Sequence, residues 1–516
     1  MPEPLKILEI SGDDWMKGIV VHPYMAVGGL FQKATNFDPF RKVGLYVPSQ
    51  SESSIGTGVV TVEARWIIPF ASSTVAGVTY FHAFGPSTLY TGRTSQGALP
   101  GGGNGFIEDQ SSRMTAITPR GAIKYKDKIV YFGTNNVIAN SIPIPRVNAE
   151  VTLLTGLTTS YAHVPHIAPD KNLYFTNSDK IGRITSVTGA SGNDASYFSF
   201  ESDAVTRGIT DDGQHLIIVG DNQNENESTP AIGVAQGDYR CFAAFWNMKS
   251  QDFTRIWEFR DNFVIGAVSI EDETVIFGQN NVYVCSVNSR PKSLLIKGGN
   301  STIQQSAPEP GSIIRVNNQV VLWGGEGYSG DGDNKDVIYG YGRLHSSLPK
   351  SLFTMNRITA APSGTKTIFS LMYDNGNTNN LIASYGNSMY MFTVGNNTST
   401  LILAGIDFKK PYEFSFAKVV LDQKLDTSQS VDVEIISGQG DNVVLRQTNG
   451  TTNSFSKVNF PGKKSHIFYP YPGSQASSSI ALFEDLSDIT IKNVGANVKR
   501  FEIWGKPIKP DQDIYR

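Results

Sequence analysis

The chain has 516 residues, more than one ordinary domain needs, with 40% hydrophobic and only 18% charged residues, and Gly (50), Phe (28) and Tyr (21) are plentiful. Helix-forming blocks of Ala, Leu, Glu and Lys are scarce, so the balance favours strands and tight turns and excludes a mainly helical fold. A formal charge of -3 and a pI near 6.2 exclude bulk attraction to nucleic acid or an anionic membrane as the basis of function.

Residues 1–63 form an irregular segment. Asp13 and Asp14 stand where a secretory leader would carry a long apolar run, and no stretch of 18 uninterrupted apolar residues occurs, so the chain is expected to be made in a cytoplasm without inserting into a membrane. Between residues 16 and 48, Gly28-Gly29, Asp38-Pro39 and Gly44 punctuate short apolar pieces, which is loop chemistry with a few anchoring aromatics.

From residue 64 to 408 one pattern recurs. IKYKDKIVYFG (123–133), VSIEDETVIFG (268–278) and IRVNNQVVLWG (314–324) each place a polar turn, at Asp127, Asp272 or Asn318, between an alternating run and an apolar run ending in an aromatic and a glycine. That is hairpin patterning, and a second strand apolar on both faces belongs between stacked sheets. Looser copies at 78–90, 167–177, 209–220 and 377–386 fill the gaps. With Gly85, Gly133, Thr176, Gly220, Gly278, Gly324 and Gly386 as equivalent anchors, the steps run from 43 to 62 residues, the two longest holding polar insertions at 221–239 and 325–336. Periods near 45 residues predict an all-β β-propeller of seven blades, with six or eight left open by the weak end units and unrelated hairpins of a large sandwich as the bland alternative. A propeller closes its ring with a borrowed strand. Part of residues 16–48, or ARWIIPF at 64–70, is expected to supply it, unless residues 1–63 contact neighbours instead.

Over residues 409–510 the aromatic-glycine anchor vanishes and eight short alternating runs follow, from YEFSFAKVVLD to VKRFEIWG. They predict a C-terminal β-sandwich or jelly-roll, with 511–516 as a tail.

Chemistry is hard to find in this chain. Cys241 and Cys285, one period apart, are expected to be buried free thiols on similar strands of successive blades. His163 and His166 form a lone HxxH in a loop, and Asp211-Asp212 and Glu271-Asp272 sit in turns where backbone bonding explains them better than acid-base work. The glycines of 100–105 read as a flexible loop, since no helix follows to hold an anion. The one metal candidate is a weak calcium site at Asp331, Asp333 and Asp336, with Asn334, whose spacing departs from an EF-hand. No phosphate loop, nucleophile elbow or zinc motif occurs, so no catalytic residue, no cofactor-binding residue and no cofactor are expected, and the chain reads as non-enzymatic.

The order of an irregular start such as GGLFQKATNFDPFRKVGLYVPS, a ring of hairpins such as IKYKDKIVYFG, and a C-terminal domain ending RFEIWGKPI resembles the β-propeller virion proteins of tailed bacteriophages, the tail nozzle or tail hub of short-tailed phages above all. The resemblance implies a virion component located in the tail, made in the host cytoplasm, that forms a ring with other copies of itself, often six. It implies portal, adaptor or other tail proteins as neighbours, and genomic DNA passing through without specific binding; no catalytic residue carries over. A channel suited to release is expected to be polar without strong basic character, in line with the shortness of the clusters at 40–42, 408–410 and 462–464. The alternative is a carbohydrate-binding or glycan-processing propeller using aromatic segments at 196–202 and 325–332.

Overall fold

The computed structural model describes residues 3–16, 31–37, 45–55, 59–71, 78–100, 104–115, 118–158, 161–201, 204–222, 240–250, 252–261, 263–279, 281–296, 309–325, 337–343, 350–358, 367–374, 381–394, 398–403, 406–437, 442–443, 445–446, 454–456, 461–470 and 482–507. Among these, seven four-stranded antiparallel sheets follow one another. Blade 1 spans residues 66–109, blade 2 121–155, blade 3 165–199, blade 4 205–260, blade 5 264–296, blade 6 314–357 and blade 7 368–394. Within blades 1 to 6 the four strands pair in chain order. The first strands of consecutive blades lie against each other all the way round, blade 7 meeting blade 1, so the ring is closed. The chain is an all-β propeller.

Each of the seven chosen anchors stands at or just past the end of the second strand of its blade: Gly85 after Thr79, Gly133 beyond Lys128–Phe132, Thr176 in Leu173–Asn177, and so on to Gly386 beyond Leu381–Tyr385. The burial pattern explains why that strand is apolar on both faces. In blade 4, Leu216 and Ile218 pack toward Tyr174 and Ile181 of blade 3, while Ile217 and Val219 pack toward Val264 and Ile276 of blade 5. Blade 5 repeats this with Ile276 turned back and Val275 and Phe277 turned to Trp323 and Tyr339 of blade 6. Phe277 and Trp323 meet with ring centroids 5.3 Å apart. Successive side chains alternate in direction, so a strand between two neighbours must be apolar at every position. The predicted polar turns bend through left-handed residues one step earlier than the aspartates, at Lys126 and Glu271 with φ of 55° and 50°, and in blade 6 at Asn317 and Asn318.

The closing strand is neither of the two segments expected. Trp66–Ala71 is the first strand of blade 1, and the ring is sealed by Ser51–Ser54, which pairs antiparallel with Ser388–Val394 as the fourth strand of blade 7. Ser-Glu-Ser-Ser lacks the apolar alternation that marks a strand because an outermost strand faces solvent and buries little. Four polar residues thus close the ring through backbone pairing.

Eleven further strands form one hydrogen-bonded set. Along its main path run Leu5–Ser11, Val498–Pro507, Ile406–Leu421, Leu482–Val494, Thr398–Leu403 and Phe31–Thr35. Two N-terminal strands are thus built into the C-terminal sheet, and Thr398–Leu403 belongs with it, so the change of fold falls between 394 and 398 and not at 408–409. Only three residues separate that strand from the last one of blade 7, too short a link for a shift in composition to mark. Long strands such as Ile406–Leu421, which pairs with three partners, replace the run of short ones expected.

The N-terminal aromatics anchor this sheet. Trp15, Phe31, Phe37 and Tyr46 are fully buried around Phe501, Ile491 and Val498. Trp15 Nε1 donates to the Lys499 carbonyl (3.1 Å), and Tyr46 Oη donates to Ser399 Oγ (3.0 Å). The backbones of Tyr46 and Val498 exchange two hydrogen bonds.

Candidate functional site

The first strands of blades 1 to 6 surround a cavity of about 260 Å³ in the central channel. Its wall is mostly apolar: Trp66, Ile209, Ile265, Val268 and Ile313 contribute, and glycine at 266 keeps one side open. The polar members are His166, Thr210 and Arg315. His166 Nε2 lies 2.5 Å from Asp211 Oδ2, across the junction of blades 3 and 4. Asp211 Oδ1 accepts the Gly213 N–H at 2.9 Å, which fixes the carboxylate on its own turn. Burial pushes the Asp211 carboxyl up, but the hydrogen bond and charge of His166, the Gly213 N–H and the nearby Arg315 outweigh it and hold the group below its usual range. An ionised Asp211 accepts from Nε2–H, so Nδ1 of His166 is the ring atom left for other work. Thr210 Oγ1 accepts the Ser269 N–H at 3.0 Å, linking blades 4 and 5. Arg315 is exposed; its Nη1 donates at 3.4 Å to the Ser269 carbonyl and to Asn318 Oδ1, both long, neutral contacts.

The other residues singled out from the sequence are placed as follows. His163 is fully buried, its Nδ1 2.8 Å from the Thr176 carbonyl, packed between Phe132 and Phe175, and so does not join His166. Asp212 Oδ1 accepts the backbone N–H of Gln214 and His215, the turn-bonding role its position suggested. Glu271 and Asp272 meet Arg343 and Lys350 from blade 6: Lys350 Nζ lies 2.6 Å from Asp272 and 3.1 Å from Glu273 with its side chain 7% exposed, so this group clamps two blades together. Asp331, Asp333, Asp336 and Asn334 lie outside the described residues, as do 326–332 of the second aromatic segment, 223–239 of the first insertion, 101–103 of the glycine loop and the basic cluster at 40–42. Among the described residues no group of three or more metal-ligating side chains gathers.

The segment 196–202 is largely a strand edge and not an open aromatic loop. Phe198 and Phe200 pack on Trp246, Phe242 and Phe253, and Arg183 covers the face of Tyr197 at 3.7 Å.

Cys241 and Cys285 sit on the third strands of blades 4 and 5, buried and unpaired, as expected. Burial, together with nearby carboxylates, pushes both thiols up, that of Cys285 to about 12. Neither cysteine should react with a thiol reagent near pH 8 in the folded protein, and both should react once it is denatured. Rapid native labelling of either would contradict this burial.

The channel pair was missed in the sequence, although one signal carries it. His166 and Asp211 are 45 residues apart, one repeat, so they occupy neighbouring positions on adjacent inner strands. The same offset links Tyr125 to Lys171 and Arg315 to Ser269, each 46 apart.

No protein family and no curated protein matches the chain. Similar solved structures include a Dos1 propeller (7% identity, TM-score 0.41, covering 68% of this chain and 96% of that one) and the WD40 propeller domain of Doa1 (10%, 0.42, 67% and 97%). A computationally designed protein, Ika8, is similar at 10% identity and TM-score 0.38, over 67% of this chain and all of its own. These scores are low, and the propeller stands on the strand order and ring closure described above.

Proposed function

We propose that this chain is a structural, non-catalytic part of a tailed-phage virion, one copy of an oligomeric ring around the DNA exit channel that docks other tail proteins. The observation that supports it most is the way the chain stitches itself. The propeller is sealed by Ser51–Ser54, and a few residues earlier Tyr46 is held in the C-terminal sheet through Val498, Asn493 and Ser399. Opening the ring means drawing out a strand whose leading end is fastened in a second domain, a construction suited to a part that keeps its shape under load. A closed ring of copies uses two different complementary faces on each subunit. The outer rim of blades 3 and 4 offers one, where Tyr197 and Ile256 are 36% and 49% exposed on fourth strands.

A conduit must let duplex DNA go. Of the three basic clusters, 408–410 lies in the strand Ile406–Leu421 and 462–464 forms an exposed turn whose Lys464 Nζ donates to the Asp422 carbonyl. In a mobility-shift assay near physiological salt the purified chain should retain duplex DNA weakly or not at all. Tight binding that falls steeply with salt would contradict the conduit role, because each neutralised phosphate adds to the cost of release.

A further inference from the structure

The channel cavity combines an apolar wall with two polar groups whose bonding capacity is not used up. Arg315 has no carboxylate within ion-pair distance among the described residues, and its only hydrogen bonds are the two 3.4 Å contacts from a single Nη1. Both oxygens of Asp211 are engaged elsewhere, one with His166 and the other with the Gly213 N–H. A guanidinium presents a planar fork of five donors that matches a carboxylate with two parallel bonds, and Arg315 lines the cavity. His166, held by Asp211 through Nε2, lines the same cavity, and with the ring neutral its Nδ1 is an acceptor. Trp66, Ile265 and Ile313 supply apolar wall to the same cavity, suited to a small branched hydrocarbon. The volume of about 260 Å³ lies just below the range of roughly 300–1,000 Å³ usual for drug-sized ligands, which suits a small ligand.

We propose that the cavity binds a carboxylate carried on a short apolar body, paired to Arg315, with an adjacent N–H donor on the ligand reaching His166 Nδ1 where one is present. Two sources share this chemistry: the C-terminal residue of a peptide chain, with its carboxylate, amide N–H and apolar side chain, and a free branched acid. The site stands independently of the virion reading, for a ring subunit and an isolated propeller would hold it alike.

The test is a titration of the full chain by calorimetry with N-acetyl-leucine, 4-methylpentanoate and N-acetyl-leucinamide. Saturable binding of at least one acid with a Kd of about 1 mM or tighter is expected. The amide, which lacks the carboxylate, should bind at least tenfold more weakly, on the order of the discrimination a paired charge gives. Arg315→Met should weaken the acids by a similar factor and leave the melting temperature unchanged, since the exposed guanidinium makes only long contacts. Arg290→Met, on the outer strand of blade 5 and outside the cavity, should change nothing. Tighter binding of N-acetyl-leucine than of 4-methylpentanoate identifies a chain terminus as the source, and equal binding a free acid. No saturable binding of either acid, equal binding of acid and amide by the unaltered chain, or full affinity in Arg315→Met would overturn the proposal.

Discussion

A chain lacking residues 1–54 should fail to give a cooperative melting transition. The deletion takes the fourth strand from blade 7, leaving Ser388–Val394 as an unpaired edge, and removes Trp15, Phe31, Phe37 and Tyr46 from the core of the C-terminal sheet. Truncating one such buried aromatic costs about 3–5 kcal/mol, and domains have a net stability of only about 5–15 kcal/mol. Losing four together with a strand exceeds that margin. The milder variant Trp15→Ala should fold and lose about 3 kcal/mol or more, in part because it also orphans the Lys499 carbonyl. Calorimetry of both checks the claim; a truncated chain that melts like the full one would show that neither domain depends on the N-terminal segment.

Gly121→Ala should cost nearly as much as a core truncation, although it adds a single methyl. A Cβ at that position would lie 1.9 Å from the His163 carbonyl oxygen and 3.0 Å from its carbonyl carbon, where blades 2 and 3 meet. The obstacle is backbone, so no rotamer relieves it. The inner strands would have to separate, straining the His163 N–H bond to the Arg120 carbonyl on the same junction. A loss of about 3 kcal/mol is expected, at the upper end for overpacking. Gly189→Ala is the control, since nothing lies within 4 Å of the Cβ it would add, and its melting temperature should not move. Equal behaviour of the two variants would mean that the inner strands do not approach as closely as described.

The propeller was legible because its determinants are local and repeated. Every second strand packs on two neighbours and ends at a turn toward the next strand, so apolar runs and anchors recur with the blade. The closing strand was not legible, because Ser51–Ser54 is held by backbone pairing to a partner more than 330 residues away and its side chains bury too little to leave a pattern. The start of the C-terminal sheet was blurred for a related reason: Thr398–Leu403 is an ordinary alternating strand whose partners, Phe31–Thr35 and Leu482–Val494, come from distant parts of the chain. At the channel, His166 and Asp211 each looked like turn residues in isolation. Their pairing follows from the ring, which sets positions one repeat apart side by side, and only residues compared at that offset reveal it.

The proposed ring of copies of this stitched propeller can be checked by the mass of the purified chain in solution. Mass photometry near physiological salt should show a discrete species at a single multiple of 56.2 kDa, with six copies the number the family resemblance implies. The species should persist on dilution from the micromolar range. A single species of one chain, unchanged as concentration rises, would contradict the ring.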